Sequence, residues 1–527
     1  MLRRLWSLRR RTFDAGGSDG VGGVAFIGMK WVRSYMASRL RRGISARALG
    51  PNEARVLYDG TVALCAAMLS LALDAAFVRH ASPDGRLWCA MLVLAPILVT
   101  ASLALGIYGR LRFSPGRVKA LALALSVAIA AALAALISND VPFALLWVAI
   151  AGGPIIVARL LLGIAQTARR TSLAVAVNDR GPVLVIGGAG YIGTHAVEQL
   201  LSAGHAVRVL DRLMYGRSSL SDFAANPRFS FVEGDAADIS RLTEAMRGAS
   251  AVVHLAGLVG DPACAVDPEF TRHTNIFVTR MVRAIAQSMG VRRFIFSSSC
   301  SVYGVSDDPV DELSRLTPVS LYAQTKIDSE GELLSNTPDD FFITILRFAT
   351  VFGHSRRPRF DLVGNLFAAQ AIEDGVITVV GPDQWRPFIH VRDLGRAIAE
   401  TIDADPLVVQ SQIFNVGDER LNTTILGLAK AVQAVAQTYR PVEITVTEDP
   451  ADKRNYAVSF DKIQRTLGFR AQTSLEDGIR ELIEKHRQGA YAHYREEAYS
   501  NVAMTRHALD RFHDPDELSR IYAPLSR

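Results

Sequence analysis

Two hydrophobic patterns divide the chain. Between residues 57 and 164, apolar residues form four long runs, Leu57–Phe77, Leu87–Tyr108, Ala120–Ile137 and Val141–Ile164. Each run is close to the roughly 17–25 residues that cross a bilayer as a helix. A buried helix of a soluble protein seldom reaches such a length without a polar face. The pattern therefore predicts a four-helix transmembrane domain over residues 56–165.

Basic residues around the four runs predict their orientation. Residues 1–55 hold twelve Lys or Arg and three Asp or Glu, whereas the whole chain has a net charge of +6. Arginines and a lysine also fill the loop at 109–119, but the turn at 138–140 has no base. By the positive-inside rule, both ends of the membrane domain face the cytoplasm. The basic arm, residues 1–55, favours contact with anionic membrane lipid over nucleic acid.

After residue 181 the pattern changes to short apolar strands alternating with helical stretches. This alternation predicts an α/β fold with a doubly wound parallel sheet. The predicted strands are Val183–Ile186, Ala206–Leu210, Phe229–Val232, Ala251–Leu255, Arg293–Phe296 and Phe342–Leu346. We predict a linker at 166–180, the α/β domain at 181–490 and a C-terminal tail at 491–527.

Composition excludes two classes of protein. Hydrophobic residues make up 49% of the chain, which excludes a disordered protein. Only four cysteines occur, and their spacing does not repeat. This excludes a disulfide scaffold and a cysteine-rich metal module, and we expect no metal site.

A glycine motif follows the first strand of the α/β domain. Gly187, Gly190 and Gly193 lie between a predicted strand and a predicted helix, and Asp211 ends the next strand. Such glycines let the backbone approach a pyrophosphate at a helix N-terminus, and the acid binds a ribose. Because a carboxylate repels a 2′-phosphate, the motif favours NAD over NADP, although the neighbouring Arg212 weakens this preference.

A second group of polar residues predicts proton transfer. A serine-rich strand end at 297–301 is followed by Tyr322 and Lys326, which share one helix face at a spacing of four residues. The ammonium can lower the pKa of the phenol, and the resulting phenolate can take a proton from a sugar hydroxyl. A serine hydroxyl at the strand end can bind the same oxygen.

From about Pro182 to Gln488 the chain resembles the extended short-chain dehydrogenase/reductase family, which includes the nucleotide-sugar epimerases and dehydratases. The motifs that carry the resemblance are GGAGYIGTH (187–195), GD (234–235), HLAG (254–257), FIFSSSCSVYG (294–304), YAQTK (322–326), WRPFIHVRD (385–393) and FNVGD (414–418). The resemblance implies a Rossmann-like sheet with a small C-terminal substrate-binding subdomain, mainly from 353–386 and 420–490. It also implies a nucleotide-diphosphate sugar as substrate, and suggests a homodimer.

The resemblance also implies roles for individual residues. Ser299, Tyr322 and Lys326 would form the catalytic trio. Arg386, Arg454 and Thr350 would bind the substrate, the arginines through its diphosphate. Asp211 would hold the adenine ribose, and Asp235 the adenine amino group. The residues implied in NAD binding are Gly187, Gly190, Tyr191, Ile192, Gly193, Asp211, Asp235, Ala236, Leu255, Ala256, Gly257, Asn275, Tyr322 and Lys326.

Two departures from the family pattern leave the reaction open. Cys300 and Ser301 stand where the family's dehydratases carry an acidic pair, which argues against ordinary 4,6-dehydration. Cys300 is therefore a candidate acid or base in an alternative dehydratase, reductase or C5-epimerase reaction. Thr350 replaces an asparagine that binds the sugar in many epimerases, so the sugar is not identified.

The four apolar runs resemble the membrane domain of bacterial polysaccharide-biosynthesis epimerase/dehydratases. The sequence thus predicts an NAD-dependent epimerase, most simply a 4-epimerase, that is anchored in the inner (cytoplasmic) membrane with its catalytic domain in the cytoplasm. It would serve cell-surface polysaccharide or glycolipid biosynthesis. The remaining alternatives are an epimerase of a polyprenyl-linked sugar and a non-catalytic dinucleotide-binding scaffold.

Overall fold

The computed structural model of the protein describes residues 181–512, except for 336, 339, 448–453 and 492. The predicted basic arm, transmembrane domain and linker lie outside these residues. Within the described part of the chain, no helix is both long enough and apolar enough to cross a membrane.

The larger sheet is parallel and follows the predicted pattern. Among the described residues its strand order is β10-β6-β5-β4-β1-β2-β3, with all neighbouring pairs parallel. Its strands are β1 Val183–Ile186, β2 Val207–Asp211, β3 Phe229–Glu233, β4 Ala251–His254, β5 Arg293–Ser299, β6 Phe342–Phe348 and β10 Gln412–Val416. Strand order reverses between β1 and β4, and in doubly wound sheets ligands bind at the carboxyl ends of the strands beside such a reversal.

Burial of both sheet faces explains why the strands are apolar throughout. In β1, Val183 and Val185 pack in one apolar core, and Leu184 and Ile186 pack in another on the opposite face. Helices cover both faces, as expected for a parallel sheet. The helices are α1 Gly193–Ser202, α2 Ile239–Met246, α3 Asp261–Val266, α4 Pro268–Arg272, α5 Val278–Ser288, α6 Leu321–Leu334, α7 Val363–Glu373, α8 Val391–Asp403, α9 Pro406–Val409, α10 Ile425–Ala436, α11 Asp461–Leu467, α12 Leu475–Arg487 and α13 Asn501–Phe512.

A smaller region contains the remaining strands. Strand β9 pairs parallel with β7 and antiparallel with β11, and β8 pairs parallel with β12. Their bounds are β7 Thr350–Phe352, β8 Val376–Val380, β9 Trp385–His390, β11 Asn422–Thr424 and β12 Glu443–Thr447. Side chains of α7, α10 and α12 form a separate apolar core with these strands. This region spans the segments predicted as the substrate-binding subdomain.

Part of the segment predicted as a C-terminal tail is folded onto the domain. Tyr491 and Tyr494 are buried with Phe360 in a small aromatic cluster. Helix α13 follows, and its Ala508 is buried beside Leu258 and Phe270. Because these apolar contacts are with residues far away in the sequence, the local pattern after residue 490 did not indicate them.

Candidate active site

The glycine loop brings the end of β1 close to the start of α1. Gly187 has a φ of +86°, and a Cβ at this residue would lie 2.8 Å from the backbone nitrogen of Ala256. At Gly193 a Cβ would lie 2.2 Å from the carbonyl oxygen of Gly187. Only glycine fits such contacts, so these positions leave a tight backbone cradle at the N-terminus of α1.

A cleft of about 320 Å³ opens at this cradle, at the carboxyl edge of the sheet. The structure brings most of the predicted site residues into its wall. Those lining it are Gly187, Gly190, Tyr191, Ile192, Gly193, Asp211, Asp235, Ala236, Leu255, Ala256, Gly257, Ser299, Tyr322, Lys326, Thr350 and Arg454. Asn275, Cys300 and Arg386 are not among the cleft-lining residues.

Asp211 lies where β2 meets the cleft. Its carboxylate accepts hydrogen bonds from the backbone nitrogens of Ala189, at 3.0 Å, and Leu213, at 2.8 Å. Burial raises the pKa of this carboxyl above its usual range. Arg212 donates instead to Asp235 at 2.9 Å, so its charge is already paired with that of another carboxylate.

Ser299, Tyr322 and Lys326 meet where β5 ends beside α6. The Lys326 Nζ donates to the carbonyl oxygen of Ser297 at 2.8 Å and lies 5.7 Å from the centre of the Tyr322 ring. Burial lowers the pKa of Lys326 to about 8. Burial raises the pKa of Tyr322, and a hydrogen bond with Ser299 lowers it in part. The trio can bind a hydroxyl oxygen and exchange its proton.

A buried ion pair supports the trio from behind. Arg347 donates to Glu330 through Nη2, at 2.6 Å, and through Nε, at 2.9 Å. Ser298, which precedes the catalytic serine, donates to the same carboxylate at 2.5 Å. The sequence contains a signal for this pair, because Arg347 interrupts β6, whose other residues are nearly all apolar and all buried.

Asn275 supports the cleft without lining it. Its side-chain oxygen accepts from the nitrogen of Leu258 at 2.8 Å, and its Nδ2 donates to the Leu258 carbonyl at 3.0 Å. The same Nδ2 donates to the Thr325 hydroxyl at 3.1 Å. The amide therefore joins the loop after β4 to the helix that carries Tyr322 and Lys326.

Arg386 is not placed as the sequence predicts. Its buried guanidinium donates to the side-chain oxygen of Gln384 at 3.0 Å and to the carbonyl oxygens of Trp385 and Arg454. It therefore holds the segment that carries Arg454 instead of lining the cleft. Arg454 does line the cleft, where it pairs with Asp261 at 3.3 Å.

Cys300 also faces away from the cleft. Its thiol is 1% exposed and donates to the carbonyl oxygen of Arg347 at 3.3 Å, while Ser299 and Ser301 on either side line the cleft. Burial raises the pKa of the Cys300 thiol. A thiol held neutral in the core is a poor proton donor or acceptor for a substrate, so the structure argues against the role considered for it.

Several lining residues are not among those that the sequence predicts. Arg357 and Arg359 follow β7, Tyr215 follows β2, and Asn501 begins α13. The run of arginines at 356–359 was a usable signal, because charged residues beside a predicted cleft often bind ligands. Asn501 had no such signal, since it enters the cleft from the segment predicted as a tail.

Comparisons with known sequences agree with this geometry. The model of the NAD dependent epimerase/dehydratase family matches residues 183–417. UDP-glucose 4-epimerase of Lactobacillus helveticus is 31% identical over 325 residues, which cover 56% of this chain and 94% of the relative. A dTDP-glucose 4,6-dehydratase of an Actinoplanes species is 27% identical over 318 residues, covering 58% of this chain and 97% of the relative.

Solved structures with the same fold have NAD bound. MoeE5, in complex with UDP-glucuronic acid and NAD, is 27% identical with a TM-score of 0.51, and the match covers 59% of this chain and 100% of that chain. The dTDP-glucose 4,6-dehydratase DesIV of Streptomyces venezuelae, with NAD and TYD bound, is 27% identical with a TM-score of 0.53. That match covers 58% of this chain and 97% of DesIV.

Proposed function

Because this chain belongs to the NAD dependent epimerase/dehydratase family, we propose that it is a nucleotide-sugar 4-epimerase. The chain is an NAD-dependent sugar epimerase/dehydratase, and its cofactor is NAD. The observation that carries the finer proposal is the trio of Ser299, Tyr322 and Lys326 in a cleft whose described lining has carboxylates only at Asp211 and Asp235.

The cleft fits NAD in two respects. Because a side chain at Gly187 would collide with the backbone of Ala256, the loop can turn tightly into the N-terminus of α1, where backbone N–H groups can meet a pyrophosphate. Asp211 presents a carboxylate at the end of β2, where it can accept hydrogen bonds from ribose hydroxyls. Bound NAD supplies a hydride acceptor and donor at the sugar C4.

The protein's part in the reaction is proton transfer and orientation. Tyr322, as phenolate, takes the proton of the 4-hydroxyl and later returns it to the same oxygen. Ser299 holds that oxygen through its hydroxyl. Burial raises the pKa of Tyr322, so the phenolate needs a nearby positive charge, and Lys326 can supply it with its Nζ 5.7 Å from the ring centre.

Dehydration makes a demand that this cleft does not meet. Removal of water needs a second group that moves a proton at a neighbouring carbon. The carboxylates among the described cleft-lining residues are Asp211, at the end of β2, and Asp235, which follows β3. Asp261 acts on the pKa of Tyr322, but it is not a lining residue and its charge is paired with Arg454. Cys264 is buried in the apolar cluster that contacts Tyr322. Cys300 faces the core. A 4-epimerase needs only the single proton relay that the trio provides.

The nucleotide we propose is UDP, because several similar enzymes are named as UDP-glucose 4-epimerases and MoeE5 was solved with UDP-sugars. The test is incubation of the enzyme with a panel of UDP-, GDP- and dTDP-sugars. We expect the C4 epimer of a UDP-sugar to form without net oxidation. Formation of a 4-keto-6-deoxy sugar would support a dehydratase instead.

Membrane anchoring is a part of the proposal that rests on the sequence alone. The four apolar runs and the alternating basic loops support a multi-pass protein of the inner membrane that acts in cell-surface polysaccharide or glycolipid biosynthesis. We expect reporter fusions after Asp140 to be periplasmic and fusions after Arg170 to be cytoplasmic. Fusions that report the same side would contradict the four-span topology.

Replacement of Asp211 should change the choice of cofactor. We expect the wild type to bind NAD more tightly than NADP by at least about tenfold, or ~1.4 kcal/mol. Asp211→Ala should narrow this ratio, because it removes the repulsion of a 2′-phosphate. Titration of the two cofactors measures the ratio, and Asp222→Ala, which removes a largely exposed carboxylate paired with Arg356, should leave it unchanged. Preference of the wild type for NADP would contradict this role of Asp211.

A further inference from the structure

One arginine in the cleft wall lacks a carboxylate partner among the described residues. Arg357 is 5% exposed, and its Nε is buried with no hydrogen-bond partner there. Its Nη2 donates to the side-chain oxygen of Asn501 at 2.8 Å, and its guanidinium lies 3.5 Å from the centre of the Tyr215 ring. Burial lowers the pKa of Arg357 to about 10. A buried cation without a counter-charge is costly, so an anion would stabilise it.

Other arginines near Arg357 are neutralised differently. Arg356 pairs with Glu198 at 3.1 Å and with Asp222 at 2.8 Å. Arg359 pairs with Asp361 at 2.6 Å, and Arg454 pairs with Asp261. Among the described cleft-lining arginines, Arg357 is thus the one whose charge is not paired with a carboxylate, so a ligand anion could pair with it.

Asn501 places this guanidinium without neutralising it. Its side-chain oxygen accepts from Arg357 and from the Tyr215 hydroxyl, the latter at 3.2 Å, and its Nδ2 donates to the Val259 carbonyl at 3.3 Å. An aspartate here would make the same two contacts and would cancel the charge. The neutral amide therefore fixes the arginine and keeps it available to an anion.

The same helix also contacts the catalytic region. Ala508 and Leu509 of α13 pack in the apolar cluster that includes Tyr322. The loop that Asn501 contacts at Val259 follows Leu258, which Asn275 joins to α6. Arg357 and Tyr322 line one cleft, and α13 contacts both the Arg357 guanidinium and the apolar cluster that includes Tyr322.

We propose that Arg357, positioned by Asn501, binds a carboxylate on the sugar ring, so that the preferred substrate is an acidic nucleotide sugar. This inference rests on the proposed function. A carboxylate fits because it can receive two parallel hydrogen bonds from one planar guanidinium. Asn501 is a positioning residue in this account, and the C-terminal helix completes the substrate site.

The test compares three probes on the full-length, NAD-loaded enzyme by isothermal titration: UDP-glucuronate, UDP-glucose and UDP. We expect the wild type to prefer UDP-glucuronate to UDP-glucose. Arg357→Gln should weaken UDP-glucuronate binding by about 10–100-fold, the usual worth of a hydrogen-bonded charge pair. Binding of UDP-glucose and UDP should change less than about threefold, well under 1.4 kcal/mol.

Two further variants separate positioning from general damage. Asn501→Asp should cause the same selective loss, because it pairs the guanidinium within the protein. Arg356→Gln, next in the chain and paired outside the cleft, should leave all three affinities unchanged. Thermal unfolding of each variant verifies that it is folded.

Two results would overturn the inference. One is a wild type that does not prefer UDP-glucuronate to UDP-glucose. The other is an equal loss of affinity for all three probes in Arg357→Gln, which would mean that the guanidinium binds the diphosphate. Epimerisation assays distinguish a failure of this inference from a failure of the proposed function. If the enzyme inverts C4 of neutral UDP-sugars but not of UDP-glucuronate, the acidic substrate is refuted and the epimerase is supported. Selective UDP-glucuronate binding without inversion of any sugar would refute the epimerase alone.

Discussion

Replacement of Tyr322 by phenylalanine should lower kcat by about 10²–10⁴-fold, the usual contribution of a positioned acid–base group. The ring and its contacts with Lys326 and the apolar cluster of α13 would remain, so the loss is confined to the hydroxyl, with its exchangeable proton and its hydrogen bond with Ser299. NAD binding should therefore be nearly unchanged. Steady-state kinetics of C4 inversion, together with an NAD titration, measure both quantities.

A matched variant shows whether the loss is specific to this phenol. Tyr439 is an exposed tyrosine whose ring packs against the Arg487 guanidinium in the smaller region. Tyr439→Phe removes the same hydroxyl group and should leave kcat unchanged. If Tyr322→Phe kept more than a tenth of the wild-type kcat, another group would have to act as the base.

The Glu330→Gln variant should lower the free energy of unfolding by about 3 kcal/mol, because it leaves a buried guanidinium without a counter-charge. Both side chains of the Glu330–Arg347 pair are at most 5% exposed. The Glu330 carboxylate also accepts a hydrogen bond from the Ser298 hydroxyl. Loss of the carboxylate would therefore disturb the strand end that carries Ser299. Thermal or denaturant unfolding of the full-length protein measures the loss.

The same helix provides a control for this variant. Glu332 lies two residues further along α6 and pairs with Arg280 at 3.1 Å on the surface. Exposed ion pairs contribute about 0.2–1 kcal/mol, so Glu332→Gln should have a small effect. Equal losses in the two variants would mean that the buried pair has no special role in stability.

Much of the cofactor side of the site could be predicted because its signals are local. The strand β1, the glycine loop and Asp211 depend on short-range backbone geometry and on alternating strands and helices. The spacing of Tyr322 and Lys326 places both on one face of α6 whatever the rest of the chain does. These features therefore follow directly from the pattern of residues.

The substrate side depends on long-range packing, which a local pattern does not encode. Arg386 belongs to a motif shared with the family, yet its guanidinium donates a hydrogen bond to the backbone carbonyl of Arg454, 68 residues away. Cys300 lies between two cleft-lining serines but faces the opposite side of the strand end. Asn501 reaches Arg357 across 144 residues, from a segment whose sequence predicts only a tail.

The most direct test of the central claim is the fate of hydrogen at the sugar carbons when the reaction runs in D₂O. If Tyr322 only exchanges the hydroxyl proton, C4 inverts and the product contains no deuterium on carbon. Proton and carbon NMR of the UDP-sugar product distinguish each ring position. The account predicts an unlabelled C4 epimer. Deuterium at C5, or loss of water from C5 and C6, would contradict it and would require a second acid or base.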